Sequence, residues 1–183
     1  MAALRKIIFS GLGLLALTVA LCVGCAKPRI SNERKVFGVP HTWKSGPLTL
    51  DELKPFENAA AFKPVNKVAK LPDEILALCF HEGVLAKMAD PGGKWEVSDA
   101  ITDESLPNHR LIWSATDGTH YVVYYELGGI GHSFHIVLAT LEPGKTNPAL
   151  DWHAAAPENL VNYGDFLAAL KAGKLDNSLD FGR

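Results

Sequence analysis

Clusters of lysine and arginine are missing from this chain: its 183 residues carry 18 Lys and Arg against 20 Asp and Glu, a formal charge of −2, with no basic run. Phosphate backbones are held by concentrated positive charge, so nucleic acid is excluded as a partner class. The phosphate-cradling patterns GxxxxGK and GxGxxG are also absent, and the glycines fall where turns are expected. There is no HExxH pair, no GxSxG elbow and no paired-cysteine motif, so no signature of known spacing marks the chain as a zinc protein or a serine hydrolase. No cofactor and no resident metal are expected.

What the chain does have is a strongly ordered front. Arg5 and Lys6 give a short positive start, residues 7–23 are nearly all apolar, and Gly24-Cys25 ends the run before the polar Lys27-Pro28-Arg29. That order is a secretory signal. As an uncleaved anchor the 17 residues of 7–23 reach only the short limit for spanning a bilayer, and Gly11 and Gly13 weaken the helix.

The Gly24-Cys25 junction resembles the lipobox of bacterial lipoproteins, in which signal peptidase II needs a small residue just before a cysteine that has received a diacylglyceryl group. Gly24 meets that need. The chain departs from the family at Cys22, where Leu is usual, although Leu21 is adjacent. Cleavage before Cys22 is disfavoured because Leu21 is too large for that position. The resemblance implies a lipid on Cys25 and attachment to a membrane through it. In the family an Asp directly after the acylated cysteine favours retention in the inner membrane. Ala26 stands there, so the resemblance implies the outer membrane, facing the periplasm.

The organisation that follows is a signal over 1–24, a lipidated cysteine and flexible tether over 25–47, and a single globular domain over 48–183. Removing 24 of 183 residues leaves 159, with 16 basic against 20 acidic side chains, enough chain for one core. The tether is polar and punctuated by Pro28, Gly38, Pro40, Gly46 and Pro47, and fully extended it spans about 70 Å. With Cys22 removed and Cys25 acylated, Cys79 is the remaining thiol and no internal disulfide is available. Its apolar surroundings, Ile75-Leu76-Ala77-Leu78-Cys79-Phe80, predict a buried core thiol.

Thr49 with Glu52 three residues later predicts a capped helix over 50–56, cut short by Pro55. A longer helix is expected over 72–89: Pro72 suits a first helical position, Asp73 and Glu74 suit the positive end of the dipole, and Leu76, Phe80, Val84 and Met88 recur every four residues. His81 lies at the edge of that face without a second ligand, since position 85 is Leu. Between 108 and 141 the period changes to two. Strands are predicted over 110–116, 119–127 and 131–141, joined by an Asp117-Gly118 turn and a glycine-rich second turn, with a further short strand over 94–97. A last helix is predicted over 163–172, stopped by Gly173. The fold class is α+β, a small antiparallel meander covered on one face by helices.

Counting outward from a two-residue turn at Asp117-Gly118 puts His109 opposite Glu126, and a four-residue second turn over 128–131 puts Tyr124 opposite His135, while a two-residue second turn shifts the partners by two but keeps the same faces. One face then carries His109, Tyr124, Glu126, Ser133 and His135, and the other Tyr125, His132, Phe134 and Ile136. A three- or five-residue second turn breaks this grouping. On the first face His109, Glu126 and His135 have the composition of an open zinc site, and Ser133 with His135 and Glu126 has that of a serine hydrolase. The structural alternative is a cross-strand ion pair with aromatic contacts. His132 and His135, an odd number apart on a strand, point to opposite faces and cannot chelate together.

Papain-like endopeptidases of the bacterial cell wall, often lipoproteins, place a catalytic Cys at a helix start and a His on a following antiparallel strand. Cys79 followed by His120, His132 or His135 is similar in order, but the chain lacks the family's Asp before and Ser-Gly after the cysteine. Asp151-Trp152-His153 reads as a loop cluster in which Trp152 anchors packing. The leading functional reading is a non-enzymatic, membrane-tethered module that binds an envelope protein or cell-wall component. The alternative is an envelope hydrolase, metal-assisted or cysteine-dependent.

Overall fold

The computed structural model describes residues 36–38, 44–80, 85–100 and 103–178. The signal, Cys25, most of the tether and His81 lie outside the described residues. In chain order the elements are β1 (Val36–Phe37), α1 (Leu50–Leu53), β2 (Lys63–Pro64), α2 (Asp73–Ala77), β3 (Leu85–Ala86), β4 (Met88–Ala89), β5 (His109–Thr116), β6 (His120–Leu127), β7 (Ser133–Thr140), β8 (Leu150–Ala155) and α3 (Tyr163–Lys171). No helix among the described residues is long and apolar enough to cross a membrane.

The fold is α+β, built on a six-stranded sheet. The meander β5-β6-β7 is extended by β8, while β2 and β4 both lie along β5, β2 at its Thr116 end and β4 at its His109 end. Every pairing is antiparallel except β4 with β5. β1 and β3 form a separate two-stranded ribbon. Valine, isoleucine and tyrosine dominate β6 and β7, and their branched or flat side chains pack well on a pleated surface.

Helices and connecting segments lie on both sheet faces, which corrects the one-sided cover expected from the sequence. On one side α2 and the turn after it bury Ile75, Leu76, Leu78 and Phe80 against Leu111, Val123, Tyr125 and Val137. On the other, α3 packs Phe166 and Ala169 with Phe56 and Trp152 against Val122, Tyr124, Ile136 and Leu138. Each large apolar side chain removed from water in this way contributes about 2 kcal/mol. Polar atoms of the aromatic rings tie the loops to this second face. The Trp113 indole donates to Leu160 O at 2.7 Å, and the hydroxyls of Tyr124 and Tyr163 donate to Pro157 O and Phe56 O at 2.7 and 3.0 Å.

The two ends expected from capping chemistry are present. At α1, Thr49 Oγ1 accepts from Glu52 N–H, and the Glu52 carboxylate accepts from Thr49 N–H at 2.7 Å; a 3₁₀ turn through Pro55 follows. At α3, Asn162 accepts from the N–H groups of Gly164 and Asp165, and Asp165 accepts from Asn162 N–H. The helix ends at Gly173, whose φ of +62° suits glycine.

The expected helix over 72–89 is corrected. Among the described residues of this span only Asp73–Ala77 are α-helical, because Cys79 N–H and Phe80 N–H bond back three residues, to Leu76 O and Ala77 O, and tighten the chain out of the helix. Further on, Met88–Ala89 joins the sheet. Of the apolar residues every four positions, Leu76 and Phe80 pack at the helix and the turn after it, and Met88 sits in a strand pairing. The short strand expected over 94–97 is not a strand, and Asp151-Trp152-His153, read as a loop, is the middle of β8.

Segments near both ends of the described chain meet β8. Lys44 N–H donates to Asp151 O at 2.8 Å, and Ala155 exchanges two backbone hydrogen bonds with Asp176. Trp152, buried in the α3 face, sends its indole N–H to Gly46 O at 3.0 Å.

Candidate functional site

Strand register decides which candidate groups meet. The Asp117-Gly118 turn is wider than two residues: Thr116 pairs with Tyr121, and the Asp117 carboxylate accepts from Thr119 N–H and His120 N–H at 2.9 and 2.7 Å. Farther along, the register shifts between Leu111 and Trp113, so Ile112 is the extra residue of a β-bulge. One added residue reverses the face of everything beyond it. His109 therefore pairs with Leu127 and Arg110 with Glu126. The second turn, 128–132, has an odd length, which pairs Leu127 with Ser133 and Tyr125 with His135.

The grouping expected from the sequence is thus corrected. His109, Ser133 and His135 do share a face, but with Tyr125 and Leu111, whereas Glu126 and Tyr124 lie on the opposite face with Phe134 and Ile136. Cross-strand partners point to the same side, so the bulge and the odd turn change the parity on each side of β6.

On the α2 side, three histidines from three strands are buried: His109 on β5, His135 on β7 and His153 on β8. Tyr125 lies among them, with ring centroids 5.8 Å from His109, 5.2 Å from His135 and 6.0 Å from His153. Its hydroxyl is 3.2 Å from His153 Nε2, and Ser133 Oγ is 2.7 Å from His135 Nε2. Phe80 meets His109 edge-on at 4.9 Å. Sequence reasoning missed His153 as a member, because a strand buried on both faces shows no alternation.

Cys79 belongs to the same side but not to reactive chemistry. It is buried, its Sγ lies 3.9 Å from Ile75 O, and burial, followed by the nearby Asp151 carboxylate, pushes the thiol far above its usual range. It also follows the C-terminal end of α2, where the helix dipole disfavours a thiolate. Burial pushes the Asp151 carboxyl up to about 7, and its Oδ1 is buried without a hydrogen-bond partner. Among the described residues, no group of three or more His, Cys, Asp or Glu is placed to hold a metal ion.

On the α3 side the polar residues form a different cluster at the end of the sheet. Glu126, only 3 % exposed, pairs through Oε1 with Arg110 Nε and through Oε2 with His132 Nε2, the latter at 2.8 Å. The Arg110 guanidinium lies 4.8 Å over the Trp95 ring, and His132 contacts both Trp95 and Phe134, at 5.4 and 4.8 Å between centroids. This is the cross-strand ion pair with aromatic contacts that the sequence allowed, with Arg110 in the place of His109.

Residues 95–97 cross directly over the second turn. Gly128 N–H donates to Asn108 O and Gly129 N–H to Val97 O, at 2.8 and 3.1 Å. A Cβ at Gly128 would stand 2.2 Å from Glu96 O, so only glycine allows this crossing. The crossing leaves Ile130 93 % exposed at the loop tip and Val97 45 % exposed beside it. No protein-family model matches this chain, and neither the curated proteins nor the solved structures searched contain a match to it.

Proposed function

We propose that this protein is a lipid-anchored component of the bacterial cell envelope, held through Cys25 at the outer membrane and facing the periplasm, whose α+β domain binds an envelope protein or cell-wall component without catalysing a reaction. The anchor rests on the signal, the Gly24-Cys25 junction and Ala26. The observation that carries the binding role is the separation of the groups a hydrolase would unite. Glu126 is committed to Arg110 and His132 across the sheet from Ser133 and His135, and Cys79 is buried with its thiol held protonated.

The contact surface is the sheet end around Ile130, Val97, Trp95 and Arg110. Tryptophan and arginine are the residue types that dominate binding energy in interfaces, and here each is half-buried and braced by the other. The test places a photo-crosslinking amino acid at position 130 of the full chain in its native envelope. A discrete adduct, lost on adding Val97→Asp, is the expected result; no adduct at positions 97, 130 and 132 overturns this surface. For the anchor, Cys25→Ser is expected to abolish lipid labelling and leave a precursor of full size, and unchanged labelling and mature size would end that assignment.

One observation supports the hydrolase alternative: the 2.7 Å contact between Ser133 Oγ and His135 Nε2. Labelling by a fluorophosphonate that disappears in Ser133→Ala would replace the binding reading with this one.

A further inference from the structure

Where β6 turns into β7, the end of the sheet holds a guanidinium that is fixed in place but not used up. Arg110 gives its Nε–H to one Glu126 oxygen, and His132 takes the other. The guanidinium lies 4.8 Å over the Trp95 ring, so its plane is set by an ion pair at one edge and an indole against one face. Its terminal amines make no hydrogen bond to any described residue, and neither does the Trp95 indole N–H. Neither group belongs to the buried polar atoms that lack a partner, so both sets of donors reach water. The Arg110 side chain as a whole is 31 % exposed.

We infer that this fork binds the carboxyl terminus of a partner protein, with the terminal carboxylate on Arg110 and Trp95 and the apolar side chain of the last residue against Ile130 and Val97.

An arginine that is already oriented loses little rotamer freedom when it takes a ligand. Its terminal N–H groups form a rigid fork that matches the two oxygens of a carboxylate. The two acids attached to this cluster do not compete for the fork: Glu126 has both oxygens engaged, and Glu96, next to Trp95, is 9 % exposed and accepts from Ser98 Oγ.

Charge limits the kind of anion. Arg110 and Glu126 cancel, and a ligand's attraction to such a pair grows in proportion to its own charge, whereas the cost of taking it out of water grows with the square. A single charge therefore suits the fork better than a phosphate dianion does.

The flank selects what carries that charge. Ile130 stands 93 % exposed at the tip of the second turn, and Val97, 45 % exposed, is tied to the same turn through Gly129 N–H. A chain terminus bears its carboxylate and its last side chain on one carbon, so it meets a fork and a neighbouring apolar tip together. An Asp or Glu side chain ends in its carboxylate and brings nothing apolar beyond it. The inference deepens the reading of this sheet end as the contact surface and rests on it; the lipid anchor plays no part.

The test is a titration of the full chain in detergent micelles, followed by ¹⁵N NMR at the Arg110 Nε–H, the Trp95 indole N–H and the Ile130 amide. The probe is the peptide acetyl-Ala-Ala-Leu with a free carboxyl terminus. Saturating shifts at all three positions are expected, with affinity about tenfold lower for the same peptide as its amide and about fivefold lower when Gly replaces the terminal Leu. Arg110→Lys keeps a charge beside Glu126 but loses the fork, and is expected to weaken the free-acid peptide by about tenfold. No saturation by that peptide, equal affinity for acid and amide, unchanged affinity in Arg110→Lys, or an equal or tighter response to inorganic phosphate would overturn the assignment. If Arg110→Lys does not fold, the comparison of acid with amide on the wild-type chain decides. The surface itself is judged separately: a crosslinked adduct at position 130 that survives Arg110→Lys removes the carboxyl terminus as ligand and leaves the surface, whereas peptide binding with no adduct at 97, 130 or 132 removes the surface as the native contact and the partner protein with it.

Discussion

Alanine at Gly128 is the sharpest perturbation this structure offers. The added methyl would stand 2.2 Å from Glu96 O, 2.8 Å from Val97 Cα and 3.0 Å from the Trp95 ring. Two of those atoms are backbone, so no rotamer change relieves the contact and residues 95–97 must lift off the loop. Overpacking of this kind costs about 3 kcal/mol, offset by roughly 0.7 kcal/mol because alanine lowers the entropy of the unfolded chain. The net loss of about 2 kcal/mol corresponds to a fall in Tm of roughly 4–8 °C for a domain of this size. Gly129→Ala is the matched control. Its φ is +112° and nothing lies within 4 Å of the new methyl, so its cost is conformational only, about 1 kcal/mol. Thermal melts followed by far-ultraviolet circular dichroism, with Trp95 fluorescence as a local probe, give the comparison. Gly128→Ala should melt lower and shift the Trp95 emission, and adduct formation at position 130 should drop with it. A Gly128→Ala protein as stable as Gly129→Ala, with unchanged emission, would refute the close crossing of 95–97 over the second turn.

Glu126→Gln removes the charge between Arg110 and His132 and should cost about 1–2 kcal/mol in urea unfolding, with little effect on the Ser133–His135 contact across the sheet; a neutral result would mean that the buried pair contributes nothing. Cys79→Ala should fold with a loss of about 1 kcal/mol, and the native thiol should react with a maleimide only after unfolding; rapid labelling of the folded protein would contradict its burial. Glu52, held down to about 2 chiefly by the Lys44 hydrogen bond and then by Thr49, should titrate there by carboxyl NMR. A carboxyl depressed in this way favours the capped form above its ordinary pKa and loses that contribution as pH falls through about 2. Thr49→Ala removes the hydroxyl donor and keeps the backbone N–H, so it should raise the midpoint modestly, and an unmoved midpoint would show that the hydroxyl does not act on it.

Where the chain announces its own boundaries, the sequence was readable. Thr49 with Glu52, Gly173, and the period-two run through Tyr121 to Leu127 carry signals that a few neighbouring residues settle, and each matches the structure. Parity was not readable. Whether Ile112 bulges and whether the Gly128 turn counts four residues or five depends on how the 95–97 segment and β4 sit against the strands, and neither contact leaves a local mark. The candidate site therefore came out with the right residue types and the wrong companions: Ser133 and His135 do touch, but Glu126 answers to Arg110. The overlong helix failed for a related reason. Residues 76–80 are all buried, so their apolar spacing did not report one face. β8, covered on both faces, hid its strand character in the same way.

The sheet also governs how a partner can be met. Strand addition needs an open row of backbone donors and acceptors, and both margins of this sheet are interrupted. Beyond β8 the chain's own segments hold Asp151 and Ala155. Beyond β5, β2 takes one end, β4 takes the other, and the Ile112 bulge distorts the gap between them. On the proposed binding reading, a partner would be recognised by side chains and loop tips rather than by zipping onto the backbone, and the same closure would keep a protein held on a membrane, as proposed, from pairing edge to edge with its own copies.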